Sequence, residues 1–239
     1  MEPYVPFCGV PPTPEDLWGR WLFDPWLLAG LALGLAGGQM LAQNPRRFSV
    51  GWGLVALLFV SPLCAASMAL FSARVAQHVL LTLLAAPIIA SALPKLRLPA
   101  LPMAGLFAVL FWTWHAPGPY DATLQGDLVY WTMHLSLFGS AVLLFAAMRA
   151  APERALAAAA LTSAQMTGYA VMLTFAAGPW HTFHLVTTHA YGIGPLADQQ
   201  LAGGLMWIAG GLLFLAAVGV LAFRFVQSEA QDRRPMRPR

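Results

Sequence analysis

Six histidines are the residues of this chain whose type and spacing could do chemistry. They are His78, His115, His134, His181, His184 and His189. A neutral imidazole donates a ring nitrogen to copper, zinc or haem iron, and its proton is easily displaced near neutral pH. We therefore predict that at least two of these histidines bind one metal ion together.

Soft sulfur atoms occur near these histidines. Cys64 and Met68 are four residues apart, which places both on one face of a helix. Met133 directly precedes His134. Imidazole, thiol and thioether ligands together favour Cu(I) over hard cations such as Mg²⁺. The alternative for each sulfur is packing, because methionine commonly fills gaps between apolar helices.

The composition indicates which elements must position these residues. Hydrophobic residues make up 59% of the 239 residues, charged residues 10%, and the mean hydropathy is +0.65, values typical of integral membrane proteins. An apolar helix needs about 20 residues to cross a bilayer. Seven such stretches predict an all-α seven-transmembrane helix bundle, with spans at about 25–43, 50–71, 75–93, 99–115, 128–148, 155–177 and 201–224.

The distribution of Lys and Arg predicts the orientation, because cytoplasmic loops hold the excess of these residues. Most of them fall in alternate connections and in the C-terminal tail, which leaves Arg20 and Arg74 on the opposite side. We therefore expect an extracytoplasmic tail (1–24), a transmembrane domain (25–224) and a basic cytoplasmic tail (225–239). All six histidines then lie toward the outer surface. The net charge of +3 reflects this topology, and we expect no nucleic-acid partner.

The N-terminal region, acidic and rich in proline, does not resemble a cleavable signal peptide. An oxidising compartment would permit pairing of the two cysteines. We nevertheless expect Cys8 and Cys64 to stay unpaired, because the first lies in a predicted flexible tail and the second within a predicted span.

Further polar residues near the predicted outer surface could support a metal site. Asp121 and Asp198 could orient an imidazole by accepting the proton of its second nitrogen. Tyr120 and Gln199 lie beside them in the sequence, and Gln199 could equally bond to nearby backbone. The chain has no P-loop, C-x-x-C or H-E-x-x-H motif, and no acidic residue lies in the middle of a predicted span. These features disfavour nucleotide-driven chemistry, zincin chemistry and proton-coupled transport.

Several segments resemble a known family. They are YVPFCGVPPTPEDLWGRWLFDP, SARVAQHVLL, WHAPGPYD, VYWTMHLSLFGSA and PLADQQLAGGLMW, in that order along the chain. Together they are similar to the CtaG family of cytochrome c oxidase assembly factors, of the polytopic type. The resemblance implies a non-enzymatic protein of the bacterial inner membrane that helps to mature a haem–copper oxidase by inserting copper. The implied partners are oxidase subunits, a periplasmic copper donor and the bilayer.

The resemblance also implies which residues bind copper. His78 matches the family motif Q-H-x-L-L, and His115 matches W-H-x-P. His134 matches the fifth-span motif, and His184 matches a loop histidine. Asp198 matches the D-Q-Q motif, and the likeness through F-C-G implies Cys8 as a mobile capture ligand.

This chain departs from the family pattern in two places. Arg74 and Val75 stand where many members have His-Met. Tyr130 and Met133 stand where many members have His and Glu. The copper hypothesis therefore depends on the remaining histidines. Two alternatives are a b-type haem held by two histidines and a metal-free scaffold for assembling oxidase subunits.

Overall fold

A computed structural model describes residues 4–232. All regular structure in this range is helical. The helices are α1 Pro25–Leu41, α2 Pro45–Val60, α3 Pro62–Ala69, α4 Phe71–Leu80, α5 Ala86–Ala92, α6 Ala100–His115, α7 Pro117–Ala122, α8 Asp127–Ala150, α9 Pro152–Thr174, α10 Pro195–Gly204 and α11 Gly211–Asp232. Short 3₁₀ turns occur at Leu17–Gly19, Thr182–Leu185 and Thr188–Tyr191.

Prolines mark many helix starts. Helices α1, α2, α3, α7, α9 and α10 each begin with a proline, the position at which its missing N–H costs nothing. Within the apolar stretches, Pro62 coincides with a 51° bend between α2 and α3. One π-helical turn, Leu81–Ala85, joins α4 to α5 next to Pro87, and another, Leu205–Gly210, joins α10 to α11.

Four of the described helices are long and apolar enough to cross a membrane. They are Phe71–Ala92, Asp127–Ala150, Arg154–Thr174 and Pro195–Gln227. The bent pair α2–α3 would make a fifth span, and α1 and α6 are shorter apolar helices. The all-α class is thus confirmed for residues 4–232, with four candidate membrane spans, whereas seven spans and the sidedness of the termini stay predictions.

Helix α1 packs on α2 through two glycines. A Cβ atom on Gly34 would lie 2.2 Å from the Trp52 ring, and one on Gly38 would lie 1.8 Å from the Phe48 ring. The Trp52 indole also donates a hydrogen bond of 2.7 Å to the carbonyl of Leu31. These positions require glycine because the aromatic rings of α2 lie directly against the α1 backbone.

Most residues of helix α4 are buried. Its first turn is capped from a distance, because the Asp198 carboxylate accepts bonds from the backbone N–H groups of Phe71, at 2.7 Å, and Ser72, at 3.3 Å. The Ser72 hydroxyl also binds Asp198. A carboxylate here satisfies N–H groups that have no partner within the helix and complements the helix dipole. The helix consequently begins at residue 71, earlier than the hydropathy pattern predicts.

Candidate functional site

Three of the predicted histidines meet inside the bundle. His78 lies on α4, His134 on α8, and His115 ends α6. All three are buried, with 2–7% of their surface exposed. The Nε2 atoms of His78 and His134 are 3.3 Å apart, and the rings of His78 and His115 are 5.8 Å apart between centroids. Three histidines from separate helices thus lie close together, which is the arrangement that binding of one metal ion by at least two of them would require.

Hydrogen bonds to the backbone determine which nitrogens remain available. His134 Nδ1 donates to the carbonyl of Tyr130 at 3.0 Å, and His115 Nδ1 donates to that of Phe111 at 2.7 Å. A carbonyl oxygen only accepts, so in the neutral rings Nδ1 carries the proton and Nε2 keeps its lone pair. Metal-binding histidines are commonly oriented in this way by a backbone carbonyl.

Arg74 lies one helical turn before His78 and is 1% exposed. The sequence interpretation placed it in an outer connection, which is wrong, because the cap on α4 extends the helix to include it. Its Nη2 donates to Thr123 Oγ1 at 2.6 Å. The guanidinium also lies 5.0 Å from the Tyr120 ring centroid and 5.5 Å from that of Tyr130. Within residues 4–232, Nε and Nη1 have no hydrogen-bond partner, and no carboxylate pairs with Arg74.

A second group of histidines lies in the connection between α9 and α10. His184 Nε2 is 2.7 Å from the Tyr120 hydroxyl. His181 packs between Phe71 and Tyr120, at centroid distances of 4.4 and 4.1 Å, and both its ring nitrogens lack partners among the described residues. Burial lowers the pKa of His181 and of His184 to about 3, and neighbouring positive charge from Arg74 adds to the shift. His189 is exposed.

The predicted supporting residues bind elsewhere than at the three inner imidazoles. Asp198 caps α4. Gln199 Oε1 accepts the Trp180 N–H at 2.7 Å, so it bonds to nearby backbone. Asp121 Oδ2 accepts a 2.6 Å bond from Thr182 Oγ1. These contacts fix the α9–α10 connection against the bundle.

The expectation of unpaired cysteines is wrong. Cys8 and Cys64 form a disulfide, with their Cα atoms 5.4 Å apart. The N-terminal segment is not a free tail, because Leu22 N–H donates to the Val60 carbonyl at 2.9 Å and further contacts hold it. In this form Cys8 has no thiolate to offer as a capture ligand.

A metal ion would find two facing donors here. Among residues 4–232, no group of three or more His, Cys, Asp or Glu side chains is arranged to hold a metal, whereas a structural zinc site needs four ligands. The d¹⁰ ion Cu(I) accepts two donors in line. With metal–nitrogen bonds of roughly 2.0 Å, the His78 and His134 Nε2 atoms would need to be about 4 Å apart, a small opening of the present pair.

Two residues that shape this pair stand out in the sequence only as departures from the family pattern. Arg74 and Tyr130 each lie four residues before a histidine, at positions 78 and 134. Residues at this spacing share a helix face, so the periodicity alone could have identified them as neighbours of the site. Tyr130 packs on His134 with ring centroids 4.2 Å apart.

Comparison with known proteins identifies the family. The family model for the cytochrome c oxidase caa3 assembly factor (Caa3_CtaG) matches residues 35–106 and 99–228. No curated protein and no solved structure matches the chain. The matched regions include α4, α6 and α8, which carry the three inner histidines. On this match over most of its length, the chain belongs to the cytochrome c oxidase caa3 assembly factor family.

Proposed function

We propose that this protein binds Cu(I) between His78 and His134 and delivers it to a subunit of a haem–copper oxidase during assembly. The observation that carries the proposal is the pair of buried Nε2 atoms 3.3 Å apart, one of them with its lone pair fixed toward its partner. Two neutral nitrogen donors suit a soft monovalent ion better than they suit Mg²⁺ or Ca²⁺, which prefer oxygen ligands.

Arg74 should lower the affinity of the histidine pair for Cu(I), which favours transfer of the ion over storage. Its fixed positive charge lies on the same helix face as His78 and opposes a cation there. The third imidazole, His115, has a free Nε2 lone pair and lines a cavity of about 10 Å³ together with His78. It offers a further donor during ligand exchange. No bond-breaking step is required, so the role is that of a carrier and not an enzyme.

The setting we propose is the bacterial inner membrane, with the N-terminus outside and the C-terminus in the cytoplasm. Support comes from the family and from the Lys and Arg excess in the connections opposite the histidines. Copper would then arrive from a donor in the periplasm, and an oxidase subunit would receive it on the same side.

The decisive experiment loads detergent-purified protein, with its Cys8–Cys64 disulfide intact, with Cu(I) in the absence of oxygen and thiols and measures bound copper by elemental analysis. We expect wild type to retain copper and the His78→Ala/His134→Ala variant to lose it. His189→Ala is the matched control, because this histidine is exposed and should leave binding unchanged. Copper retained by the double variant would refute the site.

The absorption spectrum of the same samples tests the haem alternative, and the copper content of the oxidase in cells tests the scaffold alternative. The rings of Phe59 and Tyr130 pack on His134 at centroid distances of 5.1 and 4.2 Å and occupy space that a porphyrin around the histidine pair would need, so we expect no Soret band. If His78→Ala/His134→Ala restored full copper content to the oxidase in cells, a metal-free scaffold would replace our proposal.

A further inference from the structure

The Cys8–Cys64 disulfide joins the N-terminal segment to the helix next to the histidine pair. Cys8 is 6% exposed and Cys64, on α3, is 1% exposed. Elsewhere the segment is held by few polar contacts, among them the Tyr191 hydroxyl donating to the Pro12 carbonyl at 3.1 Å. Within the described residues, the disulfide is the one covalent cross-link between this segment and the helices.

Tyr130 connects the two sulfur atoms to the histidine pair. Its hydroxyl is 3.2 Å from Cys8 Sγ and 3.7 Å from Cys64 Sγ. Its backbone carbonyl accepts a hydrogen bond from His134 Nδ1, and its ring packs on the His134 ring. One side chain thus separates the sulfur pair from the imidazole pair.

Phe7 lines a cavity that reaches His134. A cavity of about 300 Å³ between α1, α2 and α8 has Phe7, Trp131 and His134 among its lining residues. Phe7 stacks on Tyr130 at a centroid distance of 5.3 Å and packs edge-on against Trp131 at 4.9 Å. Because Phe7 directly precedes Cys8, opening the disulfide would free it to leave the cavity wall.

We propose that Cys8 and Cys64 are a redox-controlled Cu(I) entry site for the histidine pair. As thiolates they bind one Cu(I) and pass it to His134, and as a disulfide they close the site and hold Phe7 over the cavity. Two thiolates are soft ligands suited to Cu(I). The 5.4 Å Cα separation lets both reach one ion, since metal–sulfur bonds are roughly 2.3 Å.

The switch requires an external dithiol as reductant. A reductant thiolate attacks one sulfur and displaces the other cysteine as a thiolate, and the second reductant thiol then resolves the mixed disulfide. Two electrons pass to Cys8 and Cys64, and the reductant leaves as a disulfide. Binding of Cu(I) then releases the two thiol protons to solvent. This inference rests on the proposed copper role.

The test compares Cu(I) bound by oxidised and phosphine-reduced protein, after removal of the reductant, in competition with bathocuproine disulfonate. We expect reduced wild type to bind one more Cu(I) than oxidised wild type, with copper–sulfur scattering in X-ray absorption. Cys8→Ser/Cys64→Ser should bind the same amount under both conditions. Equal binding by the two wild-type forms, or a redox-dependent ion in the serine variant, would overturn the proposal.

Wild-type protein alone suffices if the serine variant does not fold, because the absorption spectrum reports sulfur ligation directly. The His78→Ala/His134→Ala variant separates this inference from the proposed function. It should keep the redox-dependent ion and lose the other one. If that variant bound as much copper as wild type, the histidine site would be refuted. If it lost the redox-dependent ion, an entry site built from the two cysteines would be refuted.

Discussion

Replacing Arg74 with leucine, which adds no metal ligand, should tighten Cu(I) binding at His78 and His134. Side chains four residues apart on a helix are neighbours at about 5–6 Å, so we place the guanidinium roughly 6 Å from an ion on His78. At an effective dielectric constant of about 20, two unit charges at this distance repel by about 3 kcal/mol. Removing the charge should therefore raise the affinity about 100-fold.

The assay is chelator competition on oxidised protein, so that only the histidine pair is measured. Arg74→Lys keeps the charge and should stay close to wild type. Arg149→Leu is the matched control, because Arg149 lies in the last turn of α8 and donates to the carbonyls of Leu93 and Pro94, at 2.7 and 3.0 Å. Unchanged affinity in Arg74→Leu, or equal tightening in Arg74→Lys, would refute the electrostatic argument.

Three further predictions concern stability in detergent. Asp198→Ala removes the cap of α4 and should lower the free energy of unfolding by about 2–4 kcal/mol, measured by denaturant titration; an unchanged midpoint would contradict the capping role. Gly38→Val should destabilise by about 1–3 kcal/mol through overlap with α2, whereas Gly37→Val, which faces open space, should be near neutral in the same titration. His181 and His184 have pKa values of about 3 when folded and an ordinary value of about 6.5 when unfolded, so the unfolded chain takes up more protons as the pH falls through this window. The melting temperature should accordingly be constant above pH 7 and fall on acidification. At pH 5 each histidine should lower the free energy of unfolding by an amount on the order of 2 kcal/mol. A melting temperature that does not change between pH 7.5 and 5 would show that these rings are solvated.

The helical class followed from composition because apolar segments of span length have few other stable forms in a bilayer. Helix boundaries were less predictable. Hydropathy placed one continuous stretch at about 50–71, whereas the chain bends at Pro62 and starts a new helix there. It also missed the first turn of α4, because the carboxylate that stabilises this turn comes from residue 198.

A shared side for the histidines could be predicted from the sequence, because the excess of Lys and Arg falls in the opposite connections. The disulfide could not, since the pairing depends on where the N-terminal segment returns to the bundle. That path is set by contacts such as Leu22 with Val60, and no local periodicity encodes them. The sequence places Arg74 in a connection because the apolar pattern of the third predicted span begins only at about residue 75.

The long-range cap on α4 also sets an order of events during biosynthesis. Asp198 lies 127 residues after Phe71, so the ribosome must make most of the chain before the start of α4 receives its partner. His78 lies on that helix, two turns beyond the cap. The helix that carries His78 therefore receives its N-terminal cap only after residue 198 has been synthesised.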